Sequence, residues 1–273
     1  MHKILQKEDI SQDVTKLIFE APLIAHNAAP GQFIVLRIDE YGERFPLTIT
    51  DTNKEEGSVE IIFQKLGTST QKLGRLEAGE SILDIVGPLG KSSEIKKYGT
   101  VVCVGGGVGT AEIFPEVRAY KEAGNKVITI VGARTKELLI LLKELDSLSD
   151  ELIVCTDDGS YGEKGVVTDP LKRVLDREKV DKVLAVGPIV MMKFVAKLTK
   201  EYNVKTTVSL NPIMVDGTGM CGSCRVTVGN EVKFACVDGP EFDAHLVDFE
   251  ELQSRNSRFM EEEKHSCKIG LDK

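Results

Sequence analysis

The stretch TVVCVGGGVGTAEIFPEV, residues 100–117, decides how this chain is read. Its first five residues are mostly apolar and β-branched, and they run directly into Gly105, Gly106, Gly107 and Gly109, after which a helical pattern opens. A strand that turns through glycines into a helix gathers backbone N–H groups and the positive end of the helix dipole at one spot, which suits an anionic pyrophosphate. The spacing is not a strict G-x-G-x-x-G, and a bare strand-to-helix turn also uses glycine. Its position after the first strand of an alternating series favours nucleotide binding.

That series continues toward the C-terminus. Apolar strands KVITIVGA (126–133), ELIVCTDDG (151–159), KVLAVGP (182–188) and KTTVSL (205–210) alternate with helices expected at about 110–123, 135–146, 166–178 and 189–202. Such alternation predicts a parallel sheet covered by helices. Toward the N-terminus the rhythm is different. VTKLIFEAP (14–22), GQFIVLRID (31–39), FPLTITD (45–51), SVEIIFQKL (58–66) and ESILDIVGPLG (80–90) are short β-rich runs separated by turn residues, which predicts an antiparallel barrel. TSTQKLGRLEAGE (68–80) interrupts them with one short helix.

The organisation expected is therefore a β-barrel over 1–98, an α/β domain over 99–210, a small module over 211–240, and a C-terminal helix and tail over 241–273. Within the last two, RVTVGNEVKFAC (225–236) reads as a hairpin around Gly229-Asn230. Residues 246–263 read as one charged helix with Leu246, Phe249, Leu252 and Phe259 as its apolar positions.

A net charge of -8 argues against a dedicated nucleic-acid binder, which needs a basic face. MHKILQKEDISQDV lacks the apolar run of a signal peptide, and no stretch approaches the roughly 20 apolar residues that span a bilayer. A cytoplasmic protein without a membrane partner is expected. Of the cysteines at 103, 155, 221, 224, 236 and 267, three crowd into residues 221–236, so metal binding is a better reading than a disulfide framework.

The segment DGTGMCGSC (216–224) starts this cysteine group, which runs C-x2-C-x11-C through Cys221, Cys224 and Cys236 among glycines at 217, 219 and 222. Three soft thiolates on a loop and a hairpin can wrap a metal centre, and glycines let backbone N–H groups turn toward inorganic sulfides. The iron–sulfur reading is preferred over zinc. A fourth ligand is required, and Asp216, Cys267 and His245 are the candidates. Cys103 and Cys155 lie in apolar strands and read as packing residues, and Cys267 reads as exposed in a polar tail.

Other residues bear on small-molecule binding. In ERFPLTI (43–49), Arg44 can pair with a pyrophosphate and Thr48 can bond a flavin ring nitrogen. On spacing alone, a surface arginine and a strand threonine are the commoner case. Gly67 and Thr68, leading a short helix, form either a phosphate cradle or a plain helix cap. Arg134 and Lys136 stand where an acidic residue ordinarily clasps a ribose 2'-hydroxyl, whereas Asp157 and Asp158 would repel a 2'-phosphate. The choice between NADH and NADPH stays open.

Taken in order, the barrel, RFPLTI, GGGVGTAEIFP, GARTK, CTDDGSYG, GPIVMM and the late cysteines resemble the ferredoxin-NADP reductase superfamily over nearly the whole chain. The likeness is greatest to its electron-transfer branch, which includes small subunits of bifurcating NADH-dependent ferredoxin:NADP oxidoreductase, of sulfide dehydrogenase and of dihydroorotate dehydrogenase. The resemblance implies FAD in the barrel, NAD(H) in the α/β domain and a [2Fe-2S] cluster in the cysteine module. It places Arg44, Pro46, Leu47 and Thr48 at the flavin and Gly67 and Thr68 near its phosphates. Gly106, Gly107, Gly109 and Thr110 would line the nicotinamide nucleotide, with Arg134, Asp157 and Asp158 nearby. The superfamily often has proline where this chain has Glu112.

The dihydroorotate branch typically uses four cysteines, and Asp216 stands here in place of the first. That resembles the bifurcating small subunit, where an aspartate and three cysteines are the ligands. The acidic stretch GPEFDAHLVDFEELQSR (239–255) is similar as well. The resemblance implies an oxidoreductase subunit in a heterodimer whose larger flavin and iron–sulfur subunit handles ferredoxin and NADP. No general acid or base is needed. The alternatives are a dihydroorotate dehydrogenase partner and, from another class, a regulatory nucleotide-binding module with structural zinc.

Overall fold

A computed structural model describes residues 1–269, with side chains described through residue 265. The N-terminal region consists of β1 (His2–Asp9), β2 (Val14–Glu20), α1 (Pro22–Asn27), β3 (Phe33–Arg37), β4 (Phe45–Thr48), β5 (Asp51–Asn53), β6 (Ser58–Gln64), α2 (Thr68–Arg75), β7 (Ser81–Ile82) and β8 (Asp84–Leu89). These strands form two antiparallel sheets, ordered β5-β6-β2-β1-β7 and β4-β3-β8. Ile4, Leu17, Phe19, Ile34, Leu36, Ile61 and Phe63 alternate inward from both sheets into one core. β1 had no sequence signal because only Ile4 of its eight residues is buried; its charged positions face outward.

The second region contains β9 (Thr100–Gly106), α3 (Gly109–Glu122), β10 (Lys126–Ala133), α4 (Leu142–Leu148), β11 (Glu151–Thr156), β12 (Glu163–Lys164), α5 (Thr168–Arg177), β13 (Lys182–Val186), α6 (Ile189–Glu201) and β14 (Lys205–Ser209). The sheet order is β12-β11-β10-β9-β13-β14, parallel throughout, with helices on its faces. Strand order reverses between β9 and β13, and the crevice outside the carboxyl ends of those strands is where doubly wound sheets bind ligands.

One helix differs from expectation. Residues 135–146 hold a short 3-10 turn (Lys136–Leu138) and then α4, broken at Leu141 with φ of 56°. The reason is tertiary. Ile140, 2% exposed, turns away to pack with Val14 and Ile62 of the barrel and Ala111 of α3, and thereby joins the two regions.

The C-terminal part also departs from the predicted single helix over 246–263. After the hairpin β15 (Arg225–Val228) and β16 (Glu231–Phe234) come α7 (Ala235–Asp238), β17 (Glu241–Asp243), α8 (Phe249–Asn256) and α9 (Met260–Ile269). Asp248 caps α8 by accepting from Glu251 N at 2.9 Å. Phe249 and Leu252 enter the main α/β core, whereas Leu246 and Phe259 are exposed. β17 pairs antiparallel with β14, so the sheet expected to end near Leu210 regains an edge strand after the cysteine module. That module is consequently tied to the sheet at both of its ends.

Glu241, the half-buried first residue of β17, stands near the buried Glu116 of α3. Ser93 Oγ donates to Glu241 Oε1 at 2.7 Å and approaches Glu116 Oε1 at 3.4 Å, and Glu116 Oε2 is buried with no protein partner. Burial, and then the neighbouring Glu241 carboxylate, push the Glu116 pKa well up. A carboxyl raised in the folded state contributes stability that is fully present below about pH 4.5 and lost as pH rises through the folded value. Glu116→Gln is therefore expected to gain on the natural protein as pH rises, by on the order of 2 kcal/mol at pH 8. Thermal denaturation of both proteins at pH 4.5 and 8 checks this, and a difference independent of pH would refute it.

Candidate functional site

β4 delivers Phe45, Pro46, Leu47 and Thr48 to the wall of a cavity of about 450 Å³, with Arg44 exposed at its rim. Ile62–Gln64 of β6, Leu66, and Thr70 of α2 close one side. Val108 and Glu112, at the start of α3, close another, and the segment Ser209–Met214 with Pro240 forms the floor. Gly67 and Thr68 start α2 beside this cavity, where Thr70 Oγ1 accepts from Gly67 N at 3.1 Å. A Cβ on Gly67 would meet no protein atom within 4 Å. Nothing in the polypeptide requires glycine there, whereas the close approach of a phosphate would.

In the sequence Glu112 stands out only as a departure from proline. Its carboxyl hydrogen-bonds Thr48 and is pushed up to about 7, burial being the cause and the Thr48 bond opposing it. Ser209–Met214 and Pro240 were not anticipated at all. They carry no polar motif, and only the chain's path from β14 back across the barrel brings them to the cavity.

The glycine loop meets the expected crevice. Gly106 faces Met191, and Gly109 approaches Val186 O so closely that a Cβ would stand 2.4 Å from it. Gly109 lets α3 close on β13, and Gly106 lets the start of α6 close on the end of β9. Gly107, with φ of 58° and no protein atom within 4 Å of a Cβ, leaves space above the loop. Thr110 is buried and its N–H goes to Gly107 O at 3.1 Å. In-register pairing of Ala133 with Thr156 sets exposed Arg134 beside Asp157 at neighbouring strand ends. Asp158 is engaged in its own turn, accepting from Ser160 N and Oγ.

The cysteine module sits on the N-terminal antiparallel sheet of β4, β3 and β8. Phe33 and Val35 share a core with Met214, Cys224, Ala235 and Cys236, and a Cβ on Gly217 (φ 76°) would strike Leu89 and Val35. The donors come as two pairs. Cys221 Sγ, exposed, lies 3.4 Å from Oδ1 of the half-buried Asp216, and Cys224 Sγ lies 3.2 Å from Cys236 Sγ, both buried. Burial and the adjoining Cys224 thiol push Cys236 up to about 12, and hydrogen bonds from Ser223 hold Cys221 below its usual range. Against the opposing effect of burial, N–H donors from Thr218 and Cys221 hold the Asp216 carboxyl low.

His245, one of the candidate fourth ligands, is elsewhere. Its Nε2 lies 3.0 Å from Thr199 Oγ1 on α6. The Cys267 side chain lies outside the described residues. Cys103 and Cys155 are buried strand residues, as expected.

Residues 1–93 match the family model of the oxidoreductase FAD-binding domain, and residues 211–248 match that of the iron-sulfur cluster binding domain of dihydroorotate dehydrogenase B. A dihydroorotate dehydrogenase B (NAD(+)) electron transfer subunit homolog of Thermotoga maritima is 50% identical over 266 residues, covering 97% of this chain and 94% of that protein. The chain belongs to this electron-transfer subunit family. A probable electron transfer subunit of the same enzyme from Methanocaldococcus jannaschii is 37% identical over 213 residues, 78% of each chain. The solved structure of a NADH-dependent reduced ferredoxin-NADP oxidoreductase, described for flavin-based electron bifurcation, superposes with a TM-score of 0.94 at 49% identity over 98% of this chain and 97% of its own. Phthalate dioxygenase reductase, at 16% identity and a TM-score of 0.61 over 84% of this chain and 86% of its own, shares the fold.

As a member of this family the chain is an oxidoreductase subunit whose domains bind FAD and an iron–sulfur cluster, on a fold consistent with NAD(H). Its residues fit both groups. The cavity abuts the barrel and the glycine loop, and the paired donors have the spacing D-x4-C-x2-C-x11-C, the plant-type ferredoxin arrangement with aspartate first. Two thiolates at about 2.3 Å from one tetrahedral metal stand roughly 3.8 Å apart, and a thiolate with a carboxylate oxygen at about 2.1 Å roughly 3.6 Å, so Cys224 with Cys236 and Asp216 with Cys221 would each need only a slight opening to hold a metal. Among the described residues, no helix is long and apolar enough to cross a membrane.

Proposed function

We propose that this chain is the small, diaphorase-type subunit of a complex linking NADH, ferredoxin and NADP, joined to a larger subunit that carries further flavin and iron–sulfur centres. FAD supplies the conversion between two-electron exchange with a nicotinamide and one-electron exchange with a cluster. The chain itself binds and aligns. Arg44 pairs with the flavin pyrophosphate, Pro46 and Leu47 wall the ring, Thr48 offers it a hydrogen bond, and Gly67 and Thr68 receive phosphate. Gly106, Gly107, Gly109 and Thr110 shape the nicotinamide crevice, with Arg134, Asp157 and Asp158 toward its adenosine end. Asp216 and Cys221 serve one iron, and Cys224 and Cys236 the other.

The observation that carries this reading is continuity. Val108 and Glu112, at the crevice, also line the cavity, and the cavity floor Ser209–Met214 leads within two residues to Asp216. Three sites thus share walls, which is what short electron paths require. The relatives named for dihydroorotate dehydrogenase B support a second reading, in which the partner oxidises dihydroorotate. Asp216 in the first ligand position favours the first.

The test is an anaerobic visible spectrum with iron, sulfide and flavin analysis, before and after NADH. One FAD, about two irons and two sulfides per chain, and bleaching by NADH are expected. A colourless, zinc-containing protein would overturn the proposal. Copurification with a dihydroorotate-oxidising subunit would select the second reading.

A further inference from the structure

Arg255 ends α8 and is 8% exposed. Its Nη2 donates to Ser223 O at 3.1 Å, the carbonyl joined directly to Cys224. Its Nε is buried with no protein partner. Arg225 and Arg258 stand close enough that, after burial itself, they are the main influences pushing the Arg255 pKa down; Glu251 opposes them. Arg258 lines the same small cleft as Arg255 and Ser223, and Arg225 directly follows Cys224, so three arginines stand near the cysteine loop, of which Arg255 alone is buried.

By itself this is a poor arrangement. Burying one guanidinium near two others is unfavourable unless negative charge is brought close. The carboxyl end of α8 supplies part of it. A larger source is at hand if the four donors hold a cluster. Three thiolates and a carboxylate around a [2Fe-2S] core leave net negative charge, and each electron accepted adds one more.

We infer that Arg255, supported by Arg225 and Arg258, sets the redox poise of the cluster by stabilising its reduced state and raising its potential. The inference rests on the reading that Asp216, Cys221, Cys224 and Cys236 are the ligands. Substituting a carboxylate for a thiolate has two opposing effects on the potential, so that exchange alone does not give its sign. The arginines do: a fixed positive charge always favours the state with the extra electron. Arg255 dominates because it is buried, whereas Arg225 and Arg258 are exposed and screened. Arg255 is a positioning and tuning residue that touches the loop and not the metal.

The experiment is a redox titration of the full-length, flavin- and cluster-loaded protein, with the reduced cluster followed by electron paramagnetic resonance. Arg255→Gln is expected to weaken reduction about tenfold, which is 59 mV for a one-electron couple. Arg255→Lys should restore most of the difference. The double variant Arg225→Gln/Arg258→Gln keeps the bond to Ser223 and removes charge only, so it should move the potential in the same direction by less. If Arg255→Gln fails to retain iron, the lysine and double variants decide. Potentials of Arg255→Gln and the double variant that coincide with the natural protein overturn the inference. A natural protein that holds no iron or sulfide defeats the cluster reading first, before any variant is compared.

Discussion

Cys224→Ser is expected to strip the iron and sulfide from the protein while leaving FAD in place. Cys224 is 1% exposed, and its thiol lies 3.2 Å from that of Cys236 in a core that includes the barrel strand residues Phe33 and Val35. A serine hydroxyl is harder, shorter in reach and far less acidic than a thiol, so the inner donor pair is broken. Cys224 itself does not line the proposed flavin cavity, and of the core around it only Phe33 and Met214 do, so a near-isosteric serine should leave the cavity's shape intact. Reduction of the flavin by NADH should therefore stay within about twofold of the natural rate, while electron delivery beyond it falls on the order of a hundredfold or more. Stopped-flow reduction, iron and sulfide analysis, and turnover with a one-electron acceptor together give the answer. Full iron content with natural turnover would remove Cys224 from the ligand set.

Arg44→Ala has the second large effect, and it falls on the flavin alone. Arg44 is exposed at the rim of the cavity and belongs to no core cluster, so the variant should melt within a few degrees of the natural protein. On the role proposed for it, what it loses is a charge-assisted contact to a pyrophosphate. FAD affinity is expected to drop about 10- to 100-fold, that is roughly 1.4 to 2.8 kcal/mol. Titration of the flavin-free protein with FAD, followed by fluorescence, measures it directly. If Arg44 holds the cofactor and does not act on the nicotinamide, as proposed, saturating FAD should restore NADH oxidation. Unchanged affinity would return Arg44 to an ordinary surface residue.

Much of this could be read from particular residues. The run from Thr100 to Val117 announced a strand, a glycine turn and a helix, and β9 and α3 occupy those positions. The spacing of Cys221, Cys224 and Cys236 announced a metal module, which coincides with an iron-sulfur binding domain. Glu112 shows where such reading stops. Nothing in its neighbours along the chain places a carboxyl against Thr48, 64 residues away, because that contact exists only when α3 docks on the barrel.

The helix expected at 135–146 fails for a related reason. Its local pattern supports a helix, but burying Ile140 between the barrel and α3 is worth more than continuing the helical bonds through Leu141. The same holds for residues 246–263. Their apolar spacing fits one helix, yet Leu246 and Phe259 remain exposed once β17 pairs with β14 and Asp248 starts α8 afresh.

The sequence by itself determined the two rhythms of alternation, the glycine turn and the cysteine spacing, because these are set by local geometry and by the reach of a few adjacent side chains. Tertiary structure decided which donors pair, where His245 goes, how Ser209–Met214 comes to floor the cavity, and that Arg255 is buried against the cysteine loop. Those outcomes depend on burial and charge between segments far apart in the chain, and only a folded chain brings such segments within range of one another.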